Sequence, residues 1–151
     1  QYAHGNEPSH HMAYLYNYIG QPWKTQAMTR RLLDEMYAPT PEGIIGNEDC
    51  GQMSAWYILN SMGFYQVCPG KPVYSIGRPL FEEVTINLPD RKTFVIRTHN
   101  NSKTNKYIES VLLNGKPLDV PFFTHDDLVR GGTMEITMSP VPTEWGKQVK
   151  N

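Results

Sequence analysis

The stretch GNEDCGQMSAWYILNSMG, residues 46–63, is the part of the sequence from which the fold is best predicted. Three polar residues, Asn47 to Asp49, stand between two glycines, and an apolar helical run follows them at once. This pattern predicts a helix from about Cys50 to Met62, ended by Gly63. Its apolar side chains form two stripes: Ala55, Ile58, Leu59 and Met62, and Met53, Trp56 and Tyr57. A helix that is apolar on most sides is normally buried on most sides.

Upstream of this stretch, two further helices are predicted. Pro8 suits the first position of a helix, and Gly20 stands where such a helix would end. Between them, apolar residues recur at helical spacing: Met12, Leu15, Tyr16 and Ile19. Pro22 begins a second amphipathic helix, followed by a loop rich in proline and glycine at 38–46. Two short helices can hardly cover the third, so we expect the chain to be part of something larger.

Downstream of Gly63 the pattern changes from helical to short strands and turns. Strands are predicted at 64–68, 72–76, 80–88, 93–98, 107–113 and 133–138, and one helical turn within 125–132. The fold class is therefore α+β. Residues 1–63 are helical, and residues 64–151 form an antiparallel sheet or part of a β-sandwich.

Composition narrows the function classes. The 151 residues carry 14 basic and 15 acidic side chains, a net charge of -1, which gives no reason to expect a nucleic acid or an anionic membrane as partner. No run approaches the roughly 18 apolar residues of a membrane span. No signal peptide is visible and the first residue is Gln, so we expect the true beginning to lie elsewhere. We expect Cys50 and Cys68 to be unpaired, although a disulfide between them is possible.

Asp49 has two possible roles. Asp is a favoured N-cap, and Gln52 stands three residues later, as in a capping box. Alternatively, a carboxylate on a glycine-flanked turn at a rigid helix start is well placed to address a ligand. The N–H groups of a helix start favour its ionised form, which suits a general base. Both roles compete for the same oxygens, but Glu48 could take over part of the capping.

A second polar cluster lies at AHGNEPSHH, residues 3–11. His10 and His11 are adjacent and point apart on a helix, and no zinc motif is present. Glu7 is a poor N-cap and precedes Pro8, which requires an extended backbone. A hard-cation site of carboxylate and amide oxygens is one interpretation of Glu7. A solvated acid at a helix start is the other.

Three motifs together resemble glycoside hydrolase family 92, the calcium-dependent α-mannosidases common in gut Bacteroides. They are HGNEPSHHMAYLYNYIGQPWKTQ, GNEDCGQMSAWYILNSMGFYQVCPG and YSIGRPLF. The resemblance implies an N-terminal β-sandwich followed by an (α/α)6-barrel catalytic domain. Residues 1–63 then resemble the last helices of the barrel, and residues 64–151 the β-rich region that follows it.

The resemblance also implies an activity. Family members remove terminal α-linked mannose, often α-1,2-linked, from glycans such as N-glycans, with inversion. The partners are then a mannose-containing glycan and the remainder of the parent polypeptide, and the location is secreted or periplasmic. The family's general acid lies upstream of this chain, so we expect the chain alone to be inactive.

Site roles follow from the same resemblance, residue by residue. Asp49 matches the general base. Asn47 stands where some members have Asp, so an assisting carboxylate is absent or is replaced by Glu48. Asn6 and Glu7, with His4 before them, match residues that bind the sugar or Ca²⁺; Glu7 is the candidate metal ligand.

A competing interpretation is a stand-alone carbohydrate-binding or interaction module, which the β-rich half and the aromatic residues would permit. The doubly apolar third helix discriminates between the two, because a self-sufficient module should not expose it. A monodisperse, cooperatively folding monomer would favour the module. Aggregation or co-purification with a second polypeptide would favour a part of a larger enzyme.

Overall fold

In the computed structural model, which describes residues 2–148, four α-helices and two β-sheets form a mixed α+β fold. The helices are α1 (Leu15–Tyr18), α2 (Pro22–Glu35), α3 (Gln52–Met62) and α4 (His125–Arg130). The strands are β1 (Phe64–Tyr65), β2 (Val73–Ile76), β3 (Glu83–Asn87), β4 (Thr93–His99), β5 (Tyr107–Leu113), β6 (Lys116–Pro117), β7 (Phe122–Thr124) and β8 (Gly132–Ser139). The predicted regions also include residue 1 and residues 149–151, which lie outside the described part.

The first predicted helix is broken up in the structure. Two 3₁₀ turns, Glu7–Ser9 and Met12–Tyr14, precede the single α-helical turn of α1. The predicted apolar side is wrong as well. Met12, Leu15 and Ile19 are 38%, 43% and 63% exposed, whereas the buried side chains of this segment are Ala13, Tyr14 and Asn17. The second helix begins at Pro22 as predicted.

Helix α3 ends where the sequence predicted, at Gly63. Its φ of 101° is left-handed, and its N–H donates to the carbonyl oxygens of Leu59 and Asn60. Met53 and Trp56 are fully buried, whereas Ile58 is 57% exposed. In the other predicted stripe, Leu59 and Met62 pack against the core between the sheets, and only Ala55 and Ile58 stay exposed.

The expectation of an antiparallel sheet is wrong for one strand pair. The three-stranded sheet, ordered β1-β2-β7, is antiparallel throughout. The five-stranded sheet is ordered β3-β4-β8-β5-β6, and β4 runs parallel to β8. Alternating hydrophobicity does not report strand direction, and these two neighbours are separated by β5, β6, β7 and α4. The strands β6 and β7 were not predicted.

One core lies between the two sheets, and a second lies under the helices. Buried polar side chains join the helices to the strands. Asn17 Nδ2 donates to Ile76 O at 2.9 Å, and Gln26 Oε1 accepts from Ile108 N at 3.0 Å. Because each bond lies in a water-free environment, losing one partner would leave the other unsatisfied. The helices and the sheets are thus fixed relative to one another.

The structure can be compared with the expectations about membrane spans and about the two cysteines. Within residues 2–148, no helix has the length and apolar character needed to cross a membrane. Cys50 and Cys68 are free and exposed, as expected.

Candidate active site

Two glycine-bearing loops touch backbone to backbone and bring the two polar clusters together. A side chain built on Gly46 would place its Cβ 2.5 Å from Gly5 O and 2.8 Å from Gly5 Cα. Gly46 also has a φ of 75°, a left-handed conformation that disfavours a side chain. Gly5 leads directly into Asn6 and Glu7, and Gly46 leads into the loop that carries Asp49.

The loop that precedes α3 has an unusual backbone. Asp49, Cys50 and Gly51 have consecutive left-handed φ values of 47°, 58° and 92°. A left-handed non-glycine residue is strained, and such strain tends to be retained where function needs it.

The capping role predicted for Asp49 is wrong. Gly51 occupies the N-cap position of α3, without a side-chain cap. Instead, Glu48 Oε1 accepts a hydrogen bond from Ser54 N at 3.2 Å, inside the first turn. Glu48 thus takes over the capping, and the Asp49 carboxyl is left available for other contacts.

The Asp49 carboxyl meets the Glu7 carboxyl. A side-chain hydrogen bond between them raises the pKa of Asp49 and lowers that of Glu7. Two ionised carboxylates can only accept hydrogen bonds, so when the pair holds a single proton, the two shifts place that proton on Asp49. Proximity of the negative charges of Glu7 and Glu48 raises the pKa of Asp49 further.

This contact limits the roles that the two carboxyls can share. The acid and base of an inverting glycosidase stand roughly 6.5–9.5 Å apart, because a water molecule must fit between base and sugar. Glu7 and Asp49 are too close to be that pair. If Asp49 is the base, the acid must come from another residue.

Glu7 also has an unsatisfied oxygen. Its Oε1 is buried, and no amide, hydroxyl or ring N–H of the described residues donates to it. Hard cations prefer carboxylate and carbonyl oxygens, so the donor chemistry suits a calcium ligand. Within residues 2–148, however, no three His, Cys, Asp or Glu side chains gather into a metal site. Glu7 fits as one ligand of a set completed by other groups.

His4 lies beneath the site and has no free ring nitrogen. Tyr37 OH donates to Met53 O, so it accepts from His4 Nε2 at 2.8 Å. His4 Nδ1 then accepts from Tyr2 OH at 2.7 Å. This arrangement assigns the neutral tautomer with the proton on Nε2. The ring also packs against the Trp56 indole, with centroids 4.3 Å apart.

Burial lowers the pKa of His4 from 6.5 to about 4, with a further contribution from the nearby His10. The unfolded chain therefore takes up a proton near pH 6.5 that the folded chain takes up only near pH 4. We expect the free energy of unfolding to fall as the pH drops through this window and not to depend on His4 above it. Denaturant unfolding from pH 7 to 4 should show a shallower fall for His4→Gln. Glu7 and Asp49 are present in both the wild type and His4→Gln, so their titration contributes to both curves. Equal dependence of the unfolding free energy on pH in the two proteins would contradict the lowered pKa of His4.

The two asparagines predicted at the site lie on its exposed side. Neither Asn6 nor Asn47 uses its side-chain amide in a hydrogen bond within the described residues, and both are exposed. The structure therefore brings together Asn6, Glu7, Asn47, Glu48 and Asp49 on two adjoining loops, and it places His4 below them. The sequence did not indicate the tyrosine partners of His4, because Tyr37 is distant in the chain.

A carboxylate on a strained loop before a helix, apposed to a second carboxylate and flanked by exposed amides, has the kind of side chains that a carboxylate-dependent hydrolase uses. The chain belongs to glycosyl hydrolase family 92: the model of that family's catalytic domain matches residues 1–140.

Similar proteins agree with this assignment. An α-mannosidase of the family from Bacteroides thetaiotaomicron, solved in complex with mannoimidazole, superposes with a TM-score of 0.92 at 42% identity, over 97% of this chain and 19% of its own. An inverting mannosidase of the family from the same species gives 0.91 at 49% identity, over 97% and 20%. An uncharacterized secreted glycosidase of Arthroderma benhamiae is 35% identical over 94% of this chain and 19% of its own length. This chain thus spans about a fifth of the length of these relatives.

Proposed function

We propose that this chain is part of an exo-acting, inverting α-mannosidase that hydrolyses terminal mannose, α-1,2-linked, from glycans. The observation that carries the proposal is the Asp49 carboxyl, released from capping and held by a strained backbone against Glu7. Family membership and the mannosidases among the solved relatives support it. The relative named as secreted supports a secreted or periplasmic location, where glycans are met.

Asp49 is the general base in this proposal. In its ionised form it takes a proton from the water that attacks the anomeric carbon, while a separate acid protonates the leaving oxygen. The hydrogen bond with Glu7 raises the pKa of Asp49 most, and the charge of Glu48 raises it a little further, which makes ionised Asp49 a stronger base. Glu48 thus assists through its charge and through capping α3, without touching water or sugar.

Glu7 is the protein's candidate ligand for Ca²⁺. Its buried, donor-free Oε1 supports this role. When bound, calcium would hold sugar hydroxyls and favour the distorted, oxocarbenium-like geometry. Asn6 and Asn47 offer uncommitted amides that can bond sugar hydroxyls. Since both ring nitrogens of His4 are engaged, we assign it to supporting the Glu7 loop rather than to touching the sugar.

The remaining parts of the enzyme come from the rest of the parent polypeptide. Residues 1–63 would then be the last helices of an (α/α)6 barrel, and residues 64–151 the β-rich region behind it. The uncovered side chain of Ile58, with exposed Ile44 and Ile45 nearby in the preceding loop, supports further barrel helices on this face. The general acid would lie on those helices.

The test is hydrolysis of α-1,2-mannobiose by the parent protein and by the 151-residue chain. We expect the parent to release mannose first as the β-anomer, which NMR detects directly, and the chain alone to release none because it lacks the acid. Mannose release by the isolated chain would place the acid within it. Release of the α-anomer first would show retention. Either result would contradict the proposal.

A further inference from the structure

The side chain of Gln52, the first residue of α3, lies between the two loops of the site. Its Nε2 donates to His10 Nδ1 at 3.0 Å and to the Tyr65 hydroxyl oxygen at 3.1 Å. A primary amide nitrogen carries two hydrogens, so both are used. Gln52 thereby connects the start of α3 to the segment that carries Glu7.

The His10 ring is held from its other side as well. It is 1% exposed, and its Nε2 lies 3.0 Å from His4 O. A carbonyl oxygen only accepts, so the proton is on Nε2 and Nδ1 is the acceptor that Gln52 requires. The bonding of His10 and the orientation of the Gln52 amide therefore agree.

Each end of this link is joined to one of the carboxyl-bearing segments. Gln52 N donates to Asp49 O at 3.3 Å, and His10 N donates to Glu7 O at 2.9 Å. Together with the Glu7–Asp49 side-chain contact, these bonds close a ring through both loops. The backbone contact of Gly5 with Gly46 limits how close the loops can come, and the Gln52–His10 bond limits how far apart they can move.

We infer that Gln52 and His10 are positioning residues that hold the Glu7 and Asp49 carboxyls in register. Neither residue touches the sugar or the attacking water. The expected effect of these two residues on catalysis depends on the proposed function being correct. Their expected effect on the geometry of the two loops does not depend on it.

The test compares Gln52→Met with Tyr65→Phe in the parent enzyme. Methionine has nearly the shape of glutamine but cannot donate to His10, whereas Tyr65→Phe removes the other acceptor and leaves the His10 bond. A displacement of about 1 Å can cost up to about 10²-fold in rate. We therefore expect Gln52→Met to lower kcat on α-1,2-mannobiose by about 10- to 100-fold with KM little changed. Tyr65→Phe should stay near wild type.

A crystal structure of Gln52→Met gives the second readout. Separation of the Glu7 and Asp49 carboxyls would support the inference, and an unchanged contact would overturn it. A wild-type kcat for Gln52→Met, or an equal loss in Tyr65→Phe, would also overturn it. If the wild-type parent releases no mannose, the proposed function fails, and the crystal structure alone still decides whether Gln52 and His10 position the pair.

Discussion

Replacing Asp49 by Asn in the parent enzyme should lower kcat by about 10²–10⁴-fold, the usual loss when a general base is removed. Asparagine cannot accept the proton of the attacking water. Its amide can, however, donate to the Glu7 carboxylate as Asp49 does when it is protonated, and asparagine tolerates the left-handed φ of 47°. The variant should therefore fold normally and melt near the wild-type temperature. Turnover of α-1,2-mannobiose and thermal unfolding test the two statements together.

The matched control for this variant is Asp90→Asn. Asp90 is also exposed and left-handed, with a φ of 59°, but it lies in the turn between β3 and β4. This control isolates the backbone effect of the Asp-to-Asn exchange, and it should leave kcat unchanged. If calcium takes part, a chelator should abolish turnover of α-1,2-mannobiose by the wild-type parent enzyme. Near-normal turnover by Asp49→Asn, with or without a lower melting temperature, would contradict the assignment of the base.

The sequence predicted the elements better than it predicted their relations. Helix α2, the end of α3 and strand β5 lie where periodicity and the flanking Pro and Gly residues placed them. The parallel pairing of β4 with β8 was not predictable, because it depends on which distant strands become neighbours. Local pattern indicates where an element begins and ends, whereas strand direction depends on the path of the whole chain.

The candidate site was predictable in composition but not in geometry. The glycines around Asn47–Asp49 indicated a special turn. The extended backbone predicted for Glu7 is wrong, because Asn6 holds the extended cap position and Glu7 is the first residue of the 3₁₀ turn. The three consecutive left-handed residues were not predicted, because Cys50 carries no sequence signal for such a φ. The capping box inferred from Asp49 and Gln52 failed because the Gln52 side chain bonds across space to His10 instead.

Gly46→Ala should destabilise the protein by about 2–4 kcal/mol and also lower its activity. Part of the cost is the left-handed φ of 75°, which penalises any L-residue by roughly 1–2 kcal/mol. The rest is steric, since the new Cβ would lie 2.5 Å from Gly5 O and 2.8 Å from Gly5 Cα. Backbone atoms cannot rotate away as a side chain can, so the two loops must separate. The melting temperature and kcat of the parent enzyme measure the two effects.

Gly70→Ala separates the steric contribution from the conformational one. Gly70 has a similar φ of 85°, but a Cβ added there would meet no heavy atom within 4 Å. It should therefore show the conformational cost alone and leave kcat unchanged. In Gly46→Ala the two loops separate, and Asp49 moves away from Glu7. The kcat of this variant should therefore fall by more than the fraction of its molecules that is unfolded at the assay temperature. Equal melting temperatures and equal rates for the two variants would mean that the contact of Gly5 with Gly46 does not hold the two carboxyl-bearing loops together.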